Sequence, residues 1–95
     1  MLITTGPINC DYTIIDTIFA VDSNKQGFWS GVDPNKAFEG VKLQLTKKCQ
    51  ALGGDAVISC QFEYRNALAE GAFSKKQVIE IFAYGTAVKL NNPNA

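Results

Sequence analysis

The chain contains no histidine, and only three cysteines are present among its 95 residues. Because histidine is the commonest general base and transition-metal ligand, its absence excludes every catalytic triad that uses imidazole and most zinc sites. Cys10, Cys49 and Cys60 are an odd number at wide spacing, which fits neither a disulfide framework nor the paired spacing of a zinc site. We therefore expect reduced thiols, no bound cofactor and no enzymatic activity.

An excess of either charge is also lacking, because nine Lys and Arg residues balance nine Asp and Glu residues. The chain therefore has no broad positive field that would collect nucleic acid or anionic lipid. No segment reaches the roughly 18 apolar residues of a membrane span, and the first residues lack the basic start and long apolar run of a signal peptide. We predict a cytoplasmic protein with no nucleic-acid or membrane partner.

The length and the hydrophobic content of the chain are typical of a folded globular protein. Ninety-five residues that are 46% hydrophobic suit one globular domain, residues 1–95. A chain of this size buries only about 60 to 65% of its extended surface on folding, so contacts with further copies would add stability. Self-association is therefore a hypothesis from size alone.

The segment 51–65, ALGGDAVISCQFEYR, organises the chain because it holds a helix end, a turn and the start of a strand. Asp33 and Pro34 are typical of a helix start, and Gly53 is typical of a helix end. The pattern predicts an amphipathic helix over residues 34–52. Its apolar stripe consists of Phe38, Val41, Leu45, Cys49 and Leu52.

Strands are predicted where apolar and β-branched residues alternate, over residues 12–21, 56–65 and 77–90, with a short one within 1–5. In the second of the long strands one face is predicted to carry Ala56, Ile58, Cys60, Phe62 and Tyr64. Residues 66–76 are predicted to form a long hairpin connection. The sequence therefore predicts an α+β fold, with one amphipathic helix packed on a mostly antiparallel sheet in the order β-α-β-β.

Two cysteines are candidate ligands. Cys49 lies on the buried helix stripe and Cys60 lies in the middle of a predicted strand. If the helix packs over that strand, the two soft sulfurs could meet a thiophilic ion. The alternative is that both are inert core residues, since free cysteine is among the most buried residue types.

Three carboxylates form the second candidate group, because Asp16, Glu63 and Glu80 lie in the middle of predicted strands. If they converge on one sheet face, they would suit a hard cation or acid–base chemistry. They could instead face solvent, pair with a base such as Arg65 or Lys89, or line the opening of a ring.

Aromatic residues are the candidates for subunit contacts. Phe28 and Trp29 lie side by side in residues 22–31, which are loop by composition, and Phe82 and Tyr84 share one face of the last predicted strand. The loop pair would serve as a lid over a ligand, as an anchor between subunits, or as part of its own core.

Four segments together resemble the YbjQ-like family of small prokaryotic proteins, which carries a heavy-metal-binding label. They are MLITT at the start, the tyrosine-led TII strand with Asp16, ALGGDAVI at 51–58 and AYGTAVKL at 83–90. The resemblance implies an α+β fold assembled as a ring, a homopentamer. For a heavy metal this chain offers no histidine and no close pair of cysteines.

Two functions remain open at this point. The first is a non-enzymatic oligomeric binding protein that holds a metal ion or small ligand, with Cys60, Cys49 and the strand acids as contacts. The alternative is a structural or interaction protein, a ring that presents loops such as residues 27–31 to a protein partner.

Overall fold

The computed structural model describes the backbone of residues 1–25, 34–70 and 75–91, and the side chains within 1–22, 35–65 and 79–91. Phe28 and Trp29 lie outside the described residues, as does the predicted cap Asp33. Among the described residues, no helix is long and apolar enough to cross a membrane.

One helix packs on a four-stranded sheet. The elements are β1 (Leu2–Ile3), β2 (Tyr12–Lys25), α1 (Pro34–Ala51), β3 (Ala56–Glu70) and β4 (Lys75–Leu90). The strand order across the sheet is β1-β3-β4-β2, and only the short β1–β3 pair is parallel. The predicted α+β fold is confirmed, with one helix on a mostly antiparallel sheet and β-α-β-β order after the short strand β1.

The strands are longer than the sequence pattern predicts. β2 continues to Lys25, and residues 66–70 and 75–76 are paired strand rather than the predicted hairpin connection. Glu70 is paired with Lys75, and Lys25 is paired with Val78, so pairing between neighbouring strands holds these residues extended. Backbone pairing overrides their weak intrinsic strand preference.

A bulge reverses the alternation of β3. Ile58 pairs with Thr86 and Gln61 pairs with Tyr84, so two residues of β3 lie opposite one residue of β4, and Ser59 has a φ of 52°. Such an extra residue moves the following side chains to the other face. The prediction that one face carries Ala56 and Ile58 together with Cys60 is therefore wrong.

The main core lies between α1 and the sheet. Its fully buried helix members are Val41, Leu45 and Cys49, and each large apolar side chain contributes roughly 1.5 to 3 kcal/mol when buried. Leu52 is 44% exposed because the helix ends at Ala51, so its predicted place in the stripe is wrong.

Glycines end the helix as predicted. The N–H of Gly54 donates to the carbonyl oxygen of Cys49 at 2.9 Å, and Gly53 takes a φ of 79°. A side chain at Gly54 would collide with the sulfur of Cys49. The backbone then turns at once into β3, where the N–H of Asp55 donates to the carbonyl oxygen of Val88.

The molecule is elongated, with extents of 57 × 18 × 16 Å and a radius of gyration of 16.2 Å. A compact chain of this length would have a radius of gyration of about 12 Å. The 18-residue helix covers about 27 Å, whereas the 15 residues of β3 span roughly 50 Å. The sheet therefore extends past the helix, and Tyr64 is 74% exposed there.

Candidate apolar face and ligand cleft

The sheet face opposite α1, called the outer face, is apolar and open at its centre. Five large side chains on it are 40% to 65% exposed, namely Ile14, Phe19, Val21, Phe82 and Tyr84. They lie there because β2 and β4 alternate, and the intervening Ile18, Ala20, Ile81 and Ala83 are buried under the helix. The predicted interface residues Phe82 and Tyr84 thus lie on an unprotected surface.

Cross-strand pairing gathers these side chains. Phe19 lies opposite Tyr84, and Val21 lies opposite Phe82. The ring centroids of Phe82 and Tyr84 are 6.0 Å apart. Pairs of this kind stabilise a sheet by roughly 0.2 to 1 kcal/mol each, yet much of their apolar surface remains in water.

The N-terminal segment covers only one end of the outer face. Ile8 packs there, together with Leu90, against the buried residues Ala56, Ile58 and Val88. This small second core explains why β3 begins with three consecutive buried residues. The cover ends before the aromatic residues, so they remain exposed.

A cleft of about 720 Å³ opens beside the aromatic residues. It is lined by Val21, Phe62, Glu63, Tyr64, Arg65, Glu80 and Phe82. In it, Nε of Arg65 lies 2.9 Å from Oε2 of Glu80, a residue directly opposite in the sheet. The Arg65 side chain is exposed, so the ion pair contributes at most about 1 kcal/mol to the stability of the fold. Its main effect is to hold the two charged side chains in place in the cleft.

The structure brings two of the three candidate carboxylates together. Glu63 lies opposite Phe82, next but one to Glu80 along β4, and both acids line the cleft. Asp16 lies opposite Ala87, seven residues further along β4 and roughly 23 Å away, and its carboxylate accepts a hydrogen bond from the N–H of Thr17. The three acids therefore do not share a site within one copy.

The two candidate thiols belong to the main core. Cys49 and Cys60 are both fully buried, and the thiol of Cys49 donates to the carbonyl oxygen of Ala56 at 3.4 Å. Burial raises the pKa of both thiols above the ordinary value. Cys10, in contrast, is exposed.

This arrangement does not fit a heavy-metal ion within one copy. Soft metals bind thiolates, and the burial that raises the pKa of Cys49 and Cys60 disfavours the charged thiolate at both positions. In the described part of the chain, no three His, Cys, Asp or Glu side chains are close enough to hold a metal.

The two edges of the sheet differ. At the β2 edge, the side chain of Gln44 donates to the carbonyl oxygen of Val21 at 2.9 Å, and the amine of Lys48 donates to that of Phe19. The amine of Lys48 also lies 4.8 Å from the centre of the Phe19 ring. Side chains of the helix thus occupy acceptors that an added strand would use.

At the β3 edge, the N-terminal segment covers only the first residues of the strand. β1 pairs with Ala56 and Val57, and the last hydrogen bonds to the N-terminal segment run from Ser59 N–H to Gly6 and from Cys60 N–H to Thr4. From residue 61 to residue 70, no strand among the described residues lies on that side of β3.

Sequence reasoning missed Val21, Phe62 and Tyr64 as residues at the cleft, whereas the pairing of a strand acid with Arg65, one of its alternatives, is confirmed by the Arg65–Glu80 contact. The signal was present in the spacing, because the ladder in which Glu70 pairs with Lys75 also sets Arg65 opposite Glu80. Because a long connection was predicted over residues 66–76, the register between β3 and β4 could not be derived from the sequence.

Comparison with known proteins identifies the family of this chain. A family model described as "Putative heavy-metal-binding", that of the YbjQ family, matches residues 35–91. The crystal structure, at 2.73 Å resolution, of a protein of unknown function from Pediococcus pentosaceus ATCC 25745, assigned to the DUF74 family, is similar with a TM-score of 0.70 and 29% identity. The similarity covers 96% of this chain and 98% of that one. No protein of curated function matches this chain. Since the family model spans more than half of the sequence, the chain belongs to the YbjQ family.

Proposed function

We propose that this protein is a non-enzymatic, self-associating binding protein whose outer face packs against further copies and whose cleft holds a small ligand. The observation that carries the proposal is the open apolar surface formed by Ile14, Phe19, Val21, Phe82 and Tyr84. An exposed apolar patch of this kind marks an interaction surface.

The energetics favour several contacts per copy. Burying the exposed half of five large apolar side chains contributes roughly 4 to 7 kcal/mol. Association costs at least about 4 kcal/mol in lost translational and rotational freedom, so one such contact alone is marginal. A closed ring gives every copy two contacts, and we propose a ring of five copies on this ground and on the family resemblance.

The ligand class follows from the lining of the cleft. Val21 and Phe82 supply apolar walls, and the Arg65–Glu80 pair supplies polar groups of both signs. Sites for small organic ligands combine such walls with a few polar groups that fix orientation. We therefore assign to the cleft a small organic molecule with an apolar body and a polar end.

A catalytic role is not part of the proposal. The chain has no histidine to act as a base, and the thiols of Cys49 and Cys60 are held protonated in the core. The three free thiols suit a reducing compartment, which supports our assignment to the cytoplasm.

The mass in solution tests self-association. For the wild type we expect five times the 10.3 kDa of one chain by light scattering after size-exclusion chromatography. Phe82→Glu places a charge in the outer face and should give a single copy. Leu43→Glu is the matched control, because Leu43 is 54% exposed on the helix, and its mass should equal that of the wild type. A wild type that runs as one copy would remove the proposal.

A further inference from the structure

Two neighbouring rows of side chains on the outer face form the cleft. In the first row, Val21, Phe82 and Glu63 lie opposite one another across β2, β4 and β3. In the second row, Glu80 lies opposite Arg65. Directly opposite residues share one face of a sheet, and residues two positions apart along a strand are separated by roughly 7 Å. The apolar wall and the charged groups of the cleft therefore lie side by side.

The charges of the cleft do not balance. Two carboxylates and one guanidinium line it, which leaves one negative charge in excess. Glu80 engages the guanidinium of Arg65, whose Nε lies 2.9 Å from its Oε2. Glu63, in contrast, makes no hydrogen bond or ion pair within the described part of the chain. The carboxylate of Glu63 is therefore available to a ligand of opposite charge.

We infer that the ligand of the cleft is an organic cation, an amine with an apolar body, and this inference rests on the ligand cleft of the proposed function. Glu63 and Glu80 are diagonal neighbours in the sheet, roughly 7 Å apart and within reach of one another's side chains. An ammonium group has three donors and no acceptor, so it donates to both carboxylates. The apolar body of the ligand then lies on Val21 and Phe82.

The ring of Phe82 adds a second attraction for a cation. Phe82 lies directly opposite Glu63 and is 41% exposed, so its ring is open to the cleft. A cation within about 6 Å of the centre of an aromatic ring is attracted by the negative face of the ring. The chain already makes such a contact, because the amine of Lys48 lies 4.8 Å from the centre of the Phe19 ring. Carboxylate and ring thus favour the same sign of charge.

Other ligand classes fit the cleft less well. An anion would approach Arg65, but Glu80 already pairs with this group, and the carboxylate of Glu63 repels an anion. A hard metal ion takes about six oxygen ligands, and among the described residues no three acidic or thiol side chains are close enough to hold one. A neutral ligand would leave the excess charge of Glu63 without a partner.

Three probes of similar shape test the sign of the charge. Calorimetric titration of the wild-type protein at neutral pH and low salt compares phenethylamine, phenethyl alcohol and phenylacetate, which are a cation, a neutral molecule and an anion. We expect saturable binding of the amine and about tenfold weaker binding of the other two. Equal or tighter binding of the alcohol or the acid overturns the inference but leaves the ligand cleft in place. Binding of none of the three removes both.

Two substitutions should move the affinity for phenethylamine in opposite directions. Glu63→Gln keeps the shape of the side chain but removes its charge, so it should weaken binding roughly tenfold. Arg65→Gln removes the positive charge of the cleft, so it should tighten binding roughly threefold. An unchanged affinity in the first variant, or a weaker one in the second, overturns the inference.

Asp16→Asn is the matched control. It removes the same charge from an exposed strand residue that lies roughly 20 Å from the cleft, so its affinity for phenethylamine should equal that of the wild type. Glu63, Arg65 and Asp16 are all exposed, so we expect the three variants to keep the fold. An equal loss of affinity in Asp16→Asn and Glu63→Gln would show that the net charge of the protein attracts the amine, which overturns the assignment to the cleft.

Discussion

Gly85 of β4 lies so close to the bulge of β3 that a Cβ built on it would stand 2.8 Å from Cγ1 of Val57 and 3.2 Å from Cα of Cys60. Gly85→Ala must push the two strands apart, which we expect to lower the free energy of unfolding by about 1 to 3 kcal/mol. Urea denaturation measures this change. Gly6→Ala is the control, because a Cβ at Gly6 meets nothing within 4 Å, and an equal loss there would contradict the explanation.

Asp55 ties the turn after α1 to the end of β4. Its Oδ2 accepts a hydrogen bond from the N–H of Leu90 at 2.9 Å and lies 3.5 Å from Nζ of Lys89. Asp55→Ala leaves the half-buried N–H without a partner, and we expect a loss of about 1 to 2 kcal/mol in the free energy of unfolding. Asp55→Asn keeps an accepting oxygen and should lose much less. If Asn costs as much as Ala, the charge rather than the hydrogen bond holds the junction.

The elements of the fold could be predicted from local chemistry, because a glycine end, a proline start and apolar spacing define α1 without reference to the sheet. The length of the strands could not. Residues 66–70 have little strand preference of their own, and only pairing with β4 holds them extended.

The composition of the site depends on register, which is a long-range property. A single added residue at the bulge sends Cys60 toward the helix and leaves Ile58 on the outer face, although the alternating pattern places them together. Two acids, Glu63 and Glu80, could be selected from their mid-strand positions. The separation of Asp16 from them follows from pairings that no local pattern contains.

The three thiols should differ in reactivity. Cys10 is exposed, whereas Cys49 and Cys60 are fully buried and have raised pKa values that suppress the reactive thiolate. A chromogenic disulfide reagent at neutral pH should therefore react rapidly with one thiol per chain, and with three in denaturant. Cys10→Ser should abolish the rapid phase. A rapid phase that survives this substitution would show that a core thiol is accessible.

Stability should fall in alkaline solution because of the core thiols. Burial raises the folded-state pKa of Cys60 above the ordinary value of 9.0, so above that pH the unfolded chain loses a proton that the folded chain retains. The free energy of unfolding therefore decreases as pH rises from 9 toward the folded-state pKa. Cys60→Ala should reduce the slope of this decrease, whatever its effect at pH 7, and Cys10→Ala should leave the slope unchanged. Equal slopes in all three proteins would contradict the assignment.

Gln44 and Lys48 should keep the β2 edge from pairing with other chains. Methionine at both positions preserves length and helix preference but removes the donors that occupy the carbonyl oxygens of Val21 and Phe19. We expect the Gln44→Met/Lys48→Met variant to aggregate faster on mild heating, with a rise in the fluorescence of an amyloid-binding dye. Lys47→Met/Gln50→Met makes the same two changes on exposed positions of the same helix, so it controls for added hydrophobicity. If both variants aggregate at one rate, exposed apolar surface is the cause, and the two hydrogen bonds do not guard the edge.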